Sequence, residues 1–175
     1  MFRLHDDARK FFKGVDAELG DTSKTPLFDK YYFSFVTGVM TARERQMTDK
    51  DGKVFIDNFP GAGAGGYRDR TESILALLLA AELRKERIII RSGAVDAVHK
   101  LRVQEAVGKI LDPRSPSYLK PEGAERMNAY AAGGIQVLEE EWFEEPPKSL
   151  DFFLMRFKEK LDNHAASFSG VFLTH

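Results

Sequence analysis

Apolar residues recur at helical spacing along most of the chain. The clearest run starts at Pro26, where Leu27, Phe28, Tyr31, Tyr32, Phe35, Val36, Val39 and Met40 return every three or four residues. Thr25-Pro26 reads as its start, since threonine caps and proline at the first helical position gives up no needed N–H. Phe33 widens the apolar surface, so this helix is expected to be buried on more than one side, and the hydroxyls of Tyr31 and Tyr32 then need partners. The helix is read to end in Ala42-Arg43-Glu44-Arg45, with cations near its negative terminus.

A second helix over residues 70–86 carries Ile74, Leu75, Leu77, Leu78, Leu79 and Leu83 and is expected to be the centre of the bundle. Asp69 and Glu72 stand ahead of it in a capping-box relation. A third, from Ser92-Gly93 to about Leu111, puts Val95, Val98, Leu101 (or Arg102), Ala106, Ile110 and Leu111 inside. Asp112-Pro113-Arg114-Ser115-Pro116 breaks the chain, and the next helix contains Met127, Tyr130, Ala131, Ile135, Leu138 and Trp142. Gly133-Gly134 in its middle costs about 1–2 kcal/mol relative to alanine, offset by close approach of another backbone or expressed as a kink. Ser149 caps a last helix with Leu150, Phe153, Leu154, Phe157 and Leu161 as its stripe. At the other end, residues 5–13 read as a short helix interrupted or ended by Gly14, and 15–24 as a polar loop. Two β-like runs, 54–59 and 88–90, stay ambiguous between strand and packed connection. The fold expected is all-α, a compact bundle of five to six helices with at most a minor β hairpin, in one domain over 1–162 and a polar tail over 163–175.

Composition narrows the function classes. The 175 residues are 43% hydrophobic and 30% charged, ordinary for a folded protein. Lys+Arg number 26 against 27 Asp+Glu, so nucleic-acid binding needs a local patch. Cysteine is absent, which excludes disulfides, thiolate metal sites and cysteine nucleophiles. The charged start MFRLHDDARK lacks a signal-peptide core, and the longest apolar run, 74–81, is too short for a bilayer, so a cytoplasmic protein without membrane contact is expected.

The candidate chemistry centres on Gly61, Gly63, Gly65 and Gly66. They satisfy G-x-G-x-x-G by letter, and their bare N–H groups beside a helix start, with Arg68 and Arg70, suit an anion. A dinucleotide fingerprint fits poorly, because Asn58-Phe59-Pro60 separates the β-like run from the first glycine and Arg91, not an acid, ends the second run. A P-loop is excluded, since no Gly-Lys-Ser/Thr follows. Further cations come in two groups, Arg43/Arg45 and Arg84/Lys85/Arg87; convergence with the loop would make a surface for DNA phosphates. The bland alternative is solvated helix ends, with Glu44, Glu72 and Glu86 interleaved. Asp57, Asp69 and Glu72 are the acids a metal-dependent nickase or nuclease would use. His99 has no second ligand at helical spacing, and Asp49, Asp51 and Asp57 depart from the EF-hand pattern, so a turn is expected near Asp51-Gly52. No cofactor and no metal is implied. The acidic run 139–145 around Trp142-Phe143 points instead to a protein partner, or to a core role for Trp142.

The segments TPLFDKYYFSFVTGVMTARE, NFPGAGAGGYRDRTESILALLLAAEL and LKPEGAERMNAYAAGGIQVLEE resemble small bacterial proteins encoded beside DNA-modification and antiphage genes, phosphorothioation systems among them, over about residues 25–140. The resemblance implies a DNA-linked defence accessory and brings no catalytic residue to this chain. The leading expectation is an accessory subunit binding DNA or a protein partner of a larger complex. The alternatives are the metal-dependent enzyme and a helical scaffold or homo-oligomer.

Overall fold

The structure, a computed structural model, describes residues 1–20, 26–57, 68–88 and 97–172, without the side chains of 68–70 and 166–172. The fold is all-α with a minor sheet. In chain order its elements are β1 (Phe2–His5), α1 (Asp6–Phe11), α2 (Lys13–Leu19), α3 (Leu27–Thr41), β2 (Gly52–Ile56), α4 (Arg68–Lys85), α5 (Ala97–Ile110), α6 (Pro121–Val137), a π-turn (Leu138–Trp142) and α7 (Leu150–Phe172). β1 pairs with β2. Contacts group these into unit 1 (Met1–Phe2, Ile56–Met127) and unit 2 (Arg3–Phe55, Asn128–His175).

Unit 2 is built on α3. Eight of its positions, Lys30, Tyr31, Ser34, Phe35, Val36, Thr37, Gly38 and Val39, are buried, which meets the expectation of a helix enclosed on more than one side. The second half of α6 lies directly on it. A Cβ at Gly134 would run into the Ser34 carbonyl, and one at Gly38 into that of Tyr130. The glycine pair therefore serves backbone contact between two helices, the first of the two options the sequence left open. Tyr31 is enclosed, and its hydroxyl donates to Asn128 Oδ1 at 3.1 Å, so burial holds its pKa well above the usual value.

α3 stops earlier than expected. Ala42 takes a left-handed conformation (φ 54°), and Arg43 N–H bonds back to Gly38 at 2.9 Å. Arg43–Arg45 then continues as non-helical chain along α6, where Arg45 N–H donates to Ala129 at 3.0 Å and a Cβ at Gly133 would meet the Arg43 carbonyl. A smooth surface on α6 wins over the helical propensity of Arg43–Arg45.

The N-terminal reading also changes. Residues 15–19, read as loop, belong to α2, because Gly14 packs against the Pro147 carbonyl (2.6 Å to a built Cβ) and Val15 is fully buried. Gly14 is a contact glycine here, not a helix terminator. Phe2, Leu4 and His5 are buried in β1, a strand the sequence reading passed over. Between α2 and α3, Lys30 Nζ meets Asp16 Oδ2 at 2.5 Å with Lys30 only 5% exposed. Asp51 closes the expected turn, accepting from Thr48 N–H and Oγ1 at 2.8 and 2.7 Å, which holds its carboxyl below the usual range.

In unit 1, α4 buries Ile74, Leu75, Leu78, Ala81 and Leu83, and Leu83 packs with Ile88, Ala106 and Val103. α4 is thus the centre of unit 1 alone. Its α5 neighbour meets expectation at Ala106 and Ile110, which are buried, but Val98 and Leu101 are 69% and 55% exposed and Val103 packs inward in their place. Both alternatives are spaced helically, so the periodicity did not choose between them. Leu111 and Leu119 bridge across the proline-rich break, with Asp112 N–H donating to Tyr118 at 3.0 Å. Asp69 falls inside the first turn of α4, and Ile89 and Ile90 lie outside the described residues.

Candidate partner-binding groove

A concave surface among the described residues lies within unit 2. It is a groove of about 650 Å³ between the 142–149 segment and the first turns of α7.

Its framing follows from local sequence. α6 ends in a π-turn, with Phe143 N–H reaching back five residues to Leu138 at 3.1 Å, and this places Trp142 and Phe143 one after the other as buried floor. Phe143 then goes extended, and Pro146-Pro147 keep the chain from re-entering a helix. α7 restarts at Leu150 under two caps: Ser149 Oγ accepts from Phe152 N–H at 3.3 Å, as its sequence position implied, and Glu18 Oε2 accepts from Leu150 N–H at 2.8 Å. Arg156 ties the two walls by donating to the Trp142 carbonyl at 3.4 Å, and it also pairs with Glu159 on its own helix at 2.8 Å.

Beneath the floor is an aromatic cluster. Phe153 meets Phe12 at 5.0 Å and Phe33 at 4.9 Å edge-on, and stacks on Phe143 at 5.5 Å. Trp142 packs on Phe157 at 5.7 Å and on His164 at 5.6 Å. The cluster continues outward, because Phe143 also meets Phe152 edge-on at 6.3 Å, and Phe152 is 49% exposed. Met155, one turn on, is 64% exposed. The groove is therefore the solvent end of the core. Phe152-Phe153-Leu154-Met155 are four consecutive apolar residues at 100° apiece, more arc than one buried face covers, so some had to face out. That was the signal for Phe152 and Met155, which sequence reasoning missed; it also placed Leu154 in the buried stripe, whereas Leu154 is exposed.

The rim is charged. Glu144 and Glu145 are exposed and form no ion pair among the described residues, while Lys148 stands opposite the paired Arg156 and Glu159. In the π-turn just before, partial burial, then the charge of Asp7, pushes the Glu139 carboxyl above its usual value. For Asp7 burial acts in the same direction, but the Lys10 hydrogen bond and the charges of His5, Lys10 and Arg45 outweigh it and leave that carboxyl lowered.

The residues singled out from sequence fall as follows. Gly61, Gly63, Gly65 and Gly66 lie outside the described residues; Arg68 and Arg70 sit in the first turn of α4 with undescribed side chains. In unit 2, Arg43 pairs with Glu141 at 2.9 Å and Arg45 with Asp7 at 3.8 Å. In unit 1, Arg84 and Lys85 are exposed in the last turn of α4, and exposed Arg87 follows in a left-handed conformation (φ 54°). Asp57 is exposed at the end of β2 and Glu72 on α4. His99 is half-buried on α5. No helix among the described residues is long and apolar enough to cross a membrane. No protein-family model, curated protein or solved structure matches this chain.

Proposed function

We propose that this chain is a binding subunit of a larger assembly and that the α7 groove is its docking surface for a partner protein. One observation carries the reading: Phe152 and Met155 stand exposed over a floor of Trp142 and Phe143, on a helix whose Phe153 and Phe157 are enclosed. Large apolar and aromatic side chains held open by a fixed frame are the make-up of interface anchors. The resemblance of residues 25–140 to bacterial proteins encoded with DNA-modification and antiphage genes directs the reading toward a DNA-directed complex.

The test is reconstitution. A protein that co-purifies with the tagged chain, identified and then purified alone, is titrated against the wild type, Met155→Glu and Leu101→Glu. The groove reading expects affinity to fall by about tenfold or more with Met155→Glu and to hold with Leu101→Glu. Equal affinity for the wild type and Met155→Glu rejects it.

A second reading, contact with DNA phosphates, is favoured by the exposure of Arg84, Lys85 and Arg87 together at the end of α4. Fluorescence anisotropy on duplex and single-stranded DNA across a salt series tests it, with Arg68→Ala/Arg70→Ala and Arg84→Ala/Arg87→Ala variants. Binding that weakens steeply with salt and drops in the variants supports this reading, and absence of binding at low salt removes it.

A further inference from the structure

We infer that the groove takes a basic amphipathic helix, a deeper claim that rests on the docking reading above. Three features select this occupant. The first is length. Phe152, Met155 and Glu159 line one side of the groove over eight residues of α7, about 10 Å for seven rises of about 1.5 Å. A partner helix spans that distance with anchors at i, i+3 or i+4, and i+7.

The second is what the facing wall withholds. Its 143–149 segment includes Pro146 and Pro147, which have no N–H, so it makes a poor edge for an added strand. A helix satisfies its own backbone and asks nothing of that wall.

The third is charge. Glu144, Glu145 and Glu159 on the rim outnumber Lys148 and Arg156, and Arg156 is already engaged by Glu159. Exposed Glu140 and Glu141 extend the acidic side along the π-turn, although Arg43 partly offsets Glu141. Lysines or arginines flanking the apolar stripe of an incoming helix meet Glu144 and Glu145, which form no ion pair among the described residues. An acidic helix, or a second copy bringing the same rim, meets like charge.

The probe is a fluorescein-labelled peptide of roughly 14 residues with leucines at helical spacing on a lysine-glutamine background. Two controls accompany it: a twin with glutamate for lysine, and a peptide of equal composition with scrambled leucine spacing. Anisotropy with the full chain is expected to show the basic peptide binding about tenfold or more tighter than either control. Met155→Glu is expected to abolish that binding, and Glu144→Gln/Glu145→Gln to narrow the basic-over-acidic preference to within about threefold. Circular dichroism checks that the variants stay folded. Equal binding of the basic and acidic peptides, both lost with Met155→Glu, overturns the charge inference and leaves the docking reading standing. Binding indifferent to Met155→Glu overturns both. No binding by any peptide at about 100 μM overturns the helix inference, while reconstitution with the identified partner still decides the docking reading. Sedimentation showing a dimer that Met155→Glu dissolves gives the groove to a second copy and also overturns the inference.

Discussion

The two units pack by different means. Unit 2 encloses Phe11, Phe12 and Phe153 ring against ring, with Tyr31 on Phe55 and Phe35 on Tyr130, backed by helices that touch backbone to backbone at Gly38 and Gly134. Among the described residues, unit 1 buries mainly aliphatic side chains, Ile74, Leu75, Leu78, Leu119 and Met127 with the cluster of Leu83, Ile88 and Ala106, beside Phe2, and its α5 buries Ala106 and Ile110. Both expose large apolar side chains, Phe152 and Met155 in one, Val98 and Leu101 in the other. The difference lies beneath them. Phe152 continues a fixed aromatic stack, whereas Val98 and Leu101 ride on a thinly buried helix. The docking reading rests on that difference: Phe152 meets Phe143, which stacks on the enclosed Phe153.

The largest expected effect is in the aromatic cluster. Phe153→Ala removes a fully enclosed ring and should cost about 3–5 kcal/mol in denaturant unfolding, against about 2–3 kcal/mol for Leu83→Ala in unit 1. Equal losses would erase the contrast. Lys30→Met leaves the partly exposed Asp16 (22%) without this partner and should cost about 1–2 kcal/mol, most of it recovered when Asp16→Leu is added.

Glycine substitutions sharpen the comparison through their signs. Gly134→Ala drives a methyl into the Ser34 carbonyl and should destabilise by about 2–3 kcal/mol. Gly108→Ala, within α5 and with nothing near a built Cβ, should stabilise by about 0.5–1 kcal/mol. Melting curves of the two variants read this directly, and the same sign for both would contradict the packing described.

The smallest effect concerns pH. The Glu139 carboxyl is raised in the folded chain, so the stability it contributes is present below its unfolded pKa and lost as pH rises through the folded value. Glu139→Gln should therefore raise the melting temperature slightly at neutral pH and leave it unchanged in acid. Asp7 and Asp51, both lowered, work the other way: their contribution is present above the ordinary carboxylate range and fades as pH falls through their folded values.

The all-α class, the α3 stripe and the Ser149 cap were legible because each rests on local spacing or a local cap; for the glycine pair in α6 the sequence left contact and kink open, and the contact with Ser34 decides it. The early stop of α3 at Ala42 was not legible, since it depends on α6 offering Gly133 to the Arg43 carbonyl. Nor was the first half of the α5 face, where Val103, packed against Leu83, Ile88 and Ala106, is chosen over Val98 and Leu101. Of the groove, sequence flagged the acid-flanked Trp142-Phe143 pair but not its far wall, because Phe152 and Met155 share a run with the core residue Phe153.

The most direct test places a photo-crosslinking benzoylphenylalanine at Met155 in one protein and at Leu101 in another, each irradiated with the basic amphipathic peptide. The account predicts a peptide adduct at position 155 that unlabelled peptide competes away, and none above background at position 101. Equal adducts at both positions, or none at 155, would contradict it.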